Sequence, residues 1–334
     1  MTKIFLPAFV FLLFLARESA PQSYKYIRTG AGAPAHSKYQ FGLALMGGGS
    51  DLDDVFRWLC AKSGGGDFLI LRAAGGDDYN PYVKELCRPN SVATLIIPDR
   101  DSAQDPRVAE IIRSAQAIFI AGGDQARYVN YWKGTPVQDA INADIAEGKP
   151  IGGTSAGLAV LGEFIYGALQ DKQDDKDLTS PEVLRNPYFN RVTLARKFLH
   201  VPLLQNMLTD SHFAKRHRLG RSLGFLARII QDGWSEHPYE IAIDEKSAVL
   251  VEADGSAKVV GPGKGAYFIE ATEKPELCAP GKPLTIRGIT SYHAPTGASF
   301  DLKTWTGDGG ESYVVSVVEG RIVSHLTSQR SRTD

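Results

Sequence analysis

Lys149-Pro150-Ile151-Gly152-Gly153-Thr154-Ser155-Ala156-Gly157 reads as a short strand that turns abruptly into a helix at Ser155, since Leu158, Val160 and Leu161 follow. What surrounds this turn decides the fold. Upstream, residues 117–121 form an apolar strand closed by Gly122-Gly123. Thr135-Pro136 then opens a helix with Val137, Ile141 and Ile145 on its apolar face and Gly148 at its end. Further upstream, residues 41–46 make a strand ending in Gly47-Gly48-Gly49. Ser50 is the expected N-cap of a helix with Leu52, Val55, Phe56, Leu59 and Cys60 at helical spacing. Strands at 68–71 and 92–97 come next, with helices around 81–87 and after Asp105-Pro106, where Val108, Ile111 and Ile112 repeat at helical spacing. This alternation predicts an α/β fold: a mostly parallel sheet flanked by helices on both faces. Ligands on such sheets bind beyond the carboxyl ends of the strands.

From Ile241 onward the texture changes to short β-rich runs at 248–251, 258–260, 267–269, 284–289 and 313–318. Turns such as Asp254-Gly255 and Pro262-Gly263 separate them. This predicts a β-rich antiparallel extension, about 248–326, of a single domain spanning 39–326. Residues 21–38, rich in Gly, Ala, Ser and Pro, read as a linker, and the polar stretch 327–334 as a disordered tail. At the N-terminus, Lys3 precedes an apolar run over 4–16 that contains Pro7 and is too short to span a bilayer. Residues 1–20 therefore read as a signal peptide, and a secreted or periplasmic protein with no stable membrane association after its removal is expected.

Lys and Arg total 37 against 38 Asp and Glu, a formal net charge of -1, so no global field favours nucleic acid or an anionic membrane. The three cysteines, Cys60, Cys87 and Cys278, are too few for a disulfide scaffold. Cys60 and Cys87, in helices flanking a short strand, either pair or stay as buried thiols. Neither the cysteines nor any His, Asp or Glu cluster has metal-ligand spacing, so no metal and no cofactor is expected.

Chemistry centres on Ser155. Gly153 and Gly157 frame it as G-x-S-x-G, and a serine on a sharp strand-to-helix turn is pushed into solvent while its small neighbours let backbones approach. The helix start aims the Ala156 amide where an oxyanion would develop. Such a serine needs a base. Of seven histidines, His212 is the candidate, lying in Asp210-Ser211-His212-Phe213-Ala214-Lys215-Arg216-His217-Arg218-Leu219-Gly220-Arg221 near the start of an expected helix with Phe213, Leu219, Leu223 and Leu226 as its apolar stripe. The bland alternative makes the basic residues that helix's solvated face. A carboxylate to hold the imidazole is available in Asp244 or Glu245, and spacing does not choose between them.

Four segments occur in order: Ala121-Gly122-Gly123-Asp124-Gln125, Gly153-Thr154-Ser155-Ala156-Gly157, the 210–221 segment just quoted, and Ile243-Asp244-Glu245. Together they resemble the cyanophycinase branch of the S51 serine peptidases. The resemblance implies a class I glutamine amidotransferase-like (flavodoxin-like) arrangement. It puts the nucleophile on Ser155, the base on His212, the acid on Glu245 and the oxyanion donors on the amides of Gly123 and Ala156. Substrate-binding positions fall on Gln125, Asp210, Arg216, Arg218 and Arg221. The implied activity is a serine exopeptidase hydrolysing β-aspartyl bonds through an acyl-enzyme, releasing β-Asp-Arg from cyanophycin. A homodimer stays open.

Physical chemistry agrees. An isoaspartyl bond leaves a free α-carboxylate beside the scissile amide, and arginine forks bind carboxylates bidentately. Asp210 is expected to meet a cation such as the guanidinium of β-Asp-Arg. The chain departs from the family at Ser211, where glutamine is usual, and in a long connection over 231–239. Two alternatives remain: an α-aspartyl dipeptidase of the same family, and a catalytically silent peptide-binding protein.

Overall fold

The computed structural model describes residues 23–31, 37–171 and 176–326. The expected signal peptide at 1–20 and the tail at 327–334 lie outside the described residues.

The chain runs β1 (Lys25–Gly30), β2 (Gly42–Met46), α1 (Asp53–Lys62), β3 (Asp67–Arg72), α2 (Tyr79–Cys87), β4 (Ser91–Ile96), α3 (Arg100–Gln104), α4 (Pro106–Ser114), β5 (Ala117–Ile120), α5 (Gln125–Trp132), α6 (Pro136–Ala146), β6 (Ile151–Thr154) and α7 (Ala156–Ala159). In space the strands order as β1-β4-β3-β5-β6-β2, all parallel except β1. Each central strand is apolar on both faces, which is why a parallel sheet forms. In β2, Leu43 and Leu45 join one core while Ala44 and Met46 join the other. In β3, Leu69 and Leu71 oppose Phe68 and Ile70 in the same way. Helices α1 and α2 cover the second face through Phe56, Leu59 and Val83. Helices α4 to α6 cover the first through Val108, Ile112, Trp132 and Ile141. As the Asp105-Pro106 pair implies, the Asp105 side chain caps α4 by accepting the Arg107 amide hydrogen bond at 2.9 Å, a contact worth about 1 kcal/mol.

The remaining strands divide between two sheets. After β7 (Phe164–Tyr166), α8 (Ser180–Arg185), β8 (Leu194–Arg196), β9 (Met207–Asp210), α9 (Leu219–Gln231) and β10 (Tyr239–Ile243), the C-terminal region is antiparallel and β-rich, as expected. Of its strands, β11 (Ala248–Glu252), β12 (Ser256–Val260), β15 (Ser299–Asp301) and β16 (Thr306–Asp308) prolong the first sheet beyond β2. The others, β13 (Ala266–Glu270), β14 (Ile286–Ala294), β17 (Glu311–Val318) and β18 (Arg321–Leu326), join β7 to β10 in a second sheet of eight. One face of this sheet, through Ile241, Ile243 and Phe268, completes the core of the first. Its other face is closed by α9 through Leu223, Leu226 and Ile230.

Local expectations are corrected in four places. Residues 25–30 of the expected linker are the strand β1, whose six residues pair antiparallel with β4. Backbone pairing with the sheet edge outweighs a glycine-rich, loop-like context. Helix α1 starts at Asp53 with Leu52 in the cap position and no side-chain cap, so Ser50 is not its cap. Asp53 and Asp54 in its first turn face the positive end of the helix dipole instead. The helix after Ser155 is a single turn. The helix expected from His212 starts only at Leu219, because residues 212–218 fold into tight turns closed by Arg216 N–H to His212 C=O and Arg218 N–H to Phe213 C=O, each 2.9 Å. Cys60 on α1 and Cys87 on α2 form a disulfide, and Cys278 is a buried thiol. Among the described residues no helix is long and apolar enough to cross a membrane.

Candidate active site

Ser155 ends the run of β6 at the carboxyl edge of the first sheet. Its backbone is held at φ 53° and ψ −116°, a left-handed conformation that non-glycine residues rarely adopt. The two framing glycines make that bend fit. A Cβ on Gly153 would lie 2.6 Å from the Gly157 backbone, and one on Gly157 would lie 2.0 Å from the carbonyl oxygen of Ile120. The motif therefore works by close backbone approach.

The imidazole arrives from the second sheet. His212 follows β9 in a left-handed conformation of its own, φ 48°, and its N–H donates to the Gly47 carbonyl at 2.8 Å. Glu245 sits in the turn after the neighbouring parallel strand β10. Ser155 Oγ lies 2.8 Å from His212 Nε2, and His212 Nδ1 lies 2.8 Å from Glu245 Oε1. A neutral imidazole protonated on Nδ1 satisfies both contacts, leaving Nε2 to accept from the serine hydroxyl. Burial pushes the His212 pKa below 6.5 against the opposing pull of Glu245, and Arg216 and Arg218 push it further the same way. The hydrogen bond to His212 in turn holds Glu245 below its usual carboxyl range. Asp244, the other acidic candidate, accepts the Lys215 backbone N–H at 2.8 Å, and it is Glu245 that meets the ring.

The Gly47-Gly48-Gly49 turn bears on this geometry, though its sequence reads only as the end of a strand. A Cβ on Gly48, at φ 90°, would lie 2.5 Å from His212 Cε1, and one on Gly49 would lie 3.1 Å from the Glu245 Cβ. The Gly48 carbonyl accepts from Lys246 N–H at 2.9 Å. One glycine turn thus braces both ring and carboxylate. Three consecutive glycines at the carboxyl end of a parallel strand, where ligands bind, were the available signal.

Ser155 and His212 open into a cavity of about 560 Å3 whose lining also includes Gly123, Gln125, Ala156, Asp210, Ser211 and the three arginines Arg216, Arg218 and Arg221. Of the sequence-derived site residues only the two carboxylate candidates, Asp244 and Glu245, do not line it; Glu245 stands behind the imidazole. Asp210 departs from its expected role as partner for a ligand cation. It is 4% exposed, and Arg221 Nε and Nη2 donate to its two oxygens at 2.5–2.9 Å while Arg218 Nη1 donates at 3.0 Å. Burial alone would raise this carboxyl, but Arg221 and Arg218 keep it below its ordinary range. A charge this deep needs partners inside the protein. Arg221, 2% exposed and 5.1 Å over the Tyr166 ring, is correspondingly fixed on Asp210. The basic residues are not a solvated helix face. Arg218 is also buried, and Arg216 alone of the three reaches well into solvent. Sequence reading missed Asp177, whose Oδ2 accepts from Arg216 Nη1 at 2.7 Å and Arg218 Nη2 at 2.9 Å; nothing in its local sequence marks it. Among the described residues no group of three or more His, Cys, Asp or Glu is arranged to hold a metal ion.

The model of peptidase family S51 matches residues 73–185, a span that contains Ser155. Cyanophycinases from Synechococcus elongatus and from Thermosynechococcus vestitus are each 28% identical over 242 residues, covering 68% of this chain and 68% of their own. The cyanophycinase of Geminocystis herdmanii is 27% identical over 216 residues, 62% of this chain and 70% of its own. A crystal structure of a peptidase from an acI-B1 Actinobacterium aligns over 79% of this chain and 98% of its own, with a TM-score of 0.49 and 17% identity.

Proposed function

We propose, from its similarity to peptidase family S51 and to cyanophycinases, that the chain hydrolyses β-aspartyl (isoaspartyl) bonds, with cyanophycin or short isoaspartyl peptides as substrate, through a Ser155–His212–Glu245 triad and an acyl-enzyme. The observation that carries the reading is the unbroken relay of two 2.8 Å contacts from hydroxyl through imidazole to carboxylate, opening into a cavity that holds arginines.

In this reading Ser155 Oγ attacks the scissile carbonyl carbon while its proton passes to His212 Nε2. Glu245 stabilises the imidazolium without taking a proton. The carbonyl oxygen becomes an oxyanion, received by the amides of Gly123 and Ala156, where preorganised donors act most strongly. When the tetrahedral species collapses, the C–N bond breaks and the departing amine takes the proton from His212. Water then repeats the sequence on the ester and frees Ser155. The α-carboxylate beside an isoaspartyl bond suits the outward-facing side of Arg216 and Arg218. Asp210 and Arg221, bound to one another, keep that arginine array in register. Ser211, one hydroxyl where relatives of this type carry an amide, leaves more room beside the serine.

The test is to incubate the purified protein with insoluble cyanophycin and with β-Asp-Arg and Asp-X peptides, identifying products by mass spectrometry. Release of β-Asp-Arg is expected. Ser155→Ala is expected to cut kcat by about 10^4-fold or more and to abolish labelling by a fluorophosphonate. Turnover of Asp-X peptides alone would transfer the assignment to an α-aspartyl dipeptidase. A Ser155→Ala protein as active as the parent would remove the mechanism.

A further inference from the structure

Asp177 occupies the mouth of the cavity, and the manner of its contact suggests a role in choosing substrate. It comes from the segment before α8, some 40 residues from the arginines it meets. A single oxygen of its carboxylate bridges Arg216 and Arg218. Arginine is the side chain proteins favour for recognising a carboxylate, and here two of them already hold one of the protein's own. The side chain is half exposed, at 50%, whereas the other counter-ion, Asp210, is sealed inside with both oxygens engaged. Burial alone would raise the Asp177 carboxyl, but Arg218 and Arg216 outweigh it and hold the pKa at about 2, so the group is charged throughout the working range.

The cavity lining carries as many aspartates as arginines. A carboxylate entering from solvent therefore meets arginines that already hold counter-ions. On Arg216 and Arg218 it competes with Asp177 for the two guanidinium groups, and a displaced Asp177 carboxylate needs a cation of its own.

We propose that Asp177 is a specificity-determining residue, a tethered competitor for the substrate carboxylate, which makes the cavity favour ligands carrying both a carboxylate and a cationic side chain over purely anionic ones. It acts through the arginines and does not touch the reacting atoms. The proposal rests on the isoaspartyl peptidase reading, and the experiment separates the two. In a Ser155→Ala background, which cannot turn over, binding of succinate and of β-Asp-Arg is measured by calorimetry for the parent Asp177 protein, Asp177→Asn and Asp177→Glu. Succinate is expected to bind about fivefold tighter to Asp177→Asn, a size suited to a half-exposed ion pair. The preference for β-Asp-Arg over succinate should shrink by at least that factor, and Asp177→Glu should restore the parent behaviour. A merely structural role would leave succinate binding equal or weaker in Asp177→Asn, and that result, or succinate binding to neither protein, overturns the proposal. Should thermal melts show Asp177→Asn unfolded, Asp177→Ser replaces it with the same expectations. Lack of hydrolysis by protein with Ser155 intact would instead remove the peptidase reading while leaving the calorimetry to decide on Asp177.

Discussion

Ser155 and His212 both sit in left-handed backbone, at φ 53° and 48°, and each such non-glycine residue costs on the order of 1–3 kcal/mol. The surrounding contacts impose that strain: Gly153 and Gly157 at the serine, the Gly47 carbonyl at the histidine. Gly48→Ala should therefore damage the histidine while leaving the fold. A Cβ 2.5 Å from the ring displaces it, so a fall in kcat of about 100-fold is expected with the far-ultraviolet dichroism unchanged, and unaltered kcat would show that the turn does not brace the ring. The proposed base must also be neutral to work. Burial holds its pKa below 6.5, so the acid limb of the kcat/KM profile is expected below pH 6.5. A limb at or above 6.5 contradicts the environment described. The same shift carries a stability consequence of definite sign. A depressed pKa means the unfolded chain binds the proton more readily, so this contribution is present above pH 6.5 and is lost as pH falls through the folded value. The serine motif was legible because its spacing is local. The bracing by Gly48 was not, because it depends on a ring that arrives from 164 positions later (212 − 48).

Among the elements, α1 and α2 are tied by the Cys60–Cys87 disulfide over a separation of 27 residues. Closing a loop of that length stabilises by roughly 3 kcal/mol through the unfolded chain. Cys87→Ser should lower the melting temperature by several degrees. Reductant should do the same to the parent and nothing further to the variant; a melting point insensitive to both would argue that the thiols do not pair. The parallel-strand and helix alternation was readable because each element announces itself through its own apolar period and caps, as at Asp105 before α4. The late start of α9 was hidden for a different reason. The apolar spacing from Phe213 to Leu226 is compatible with one continuous helix, and only the ion pairs of Arg218 and Arg221 with a buried Asp210 show why residues 212–218 turn instead. Likewise β1 looks like linker because its partner, β4, lies some 60 residues away.

At the scale of the whole molecule, the site exists where two sheets meet: the serine comes from the carboxyl edge of the first, the histidine and glutamate from that of the second. Beneath it lies Glu240 of β10, fully buried, with Oε1 accepting from Ser222 on α9 and Oε2 without a partner. Burial, helped by nearby Asp210, pushes its pKa up to about 8. A raised carboxyl favours the folded state when protonated, so its contribution is fully present below pH 4.5 and is lost as pH rises toward 8. Glu240→Gln, neutral at every pH, should melt above the parent at pH 8, by an amount on the order of a few kcal/mol, with the difference closing near pH 5. Equal melting of the two proteins at both pH values would show that this carboxyl is not raised in the folded state. The amino-acid sequence alone determined the α/β class, the strand-turn-helix at Ser155 and the set of chemical groups available, because period, caps and close glycine spacing act within a few residues. Tertiary structure alone decided which carboxylate meets the imidazole, which arginines stay open to a ligand and how the C-terminal strands divide between sheets. Those outcomes follow from contacts between distant segments, where burial and charge pairing, which local patterns do not encode, select one arrangement.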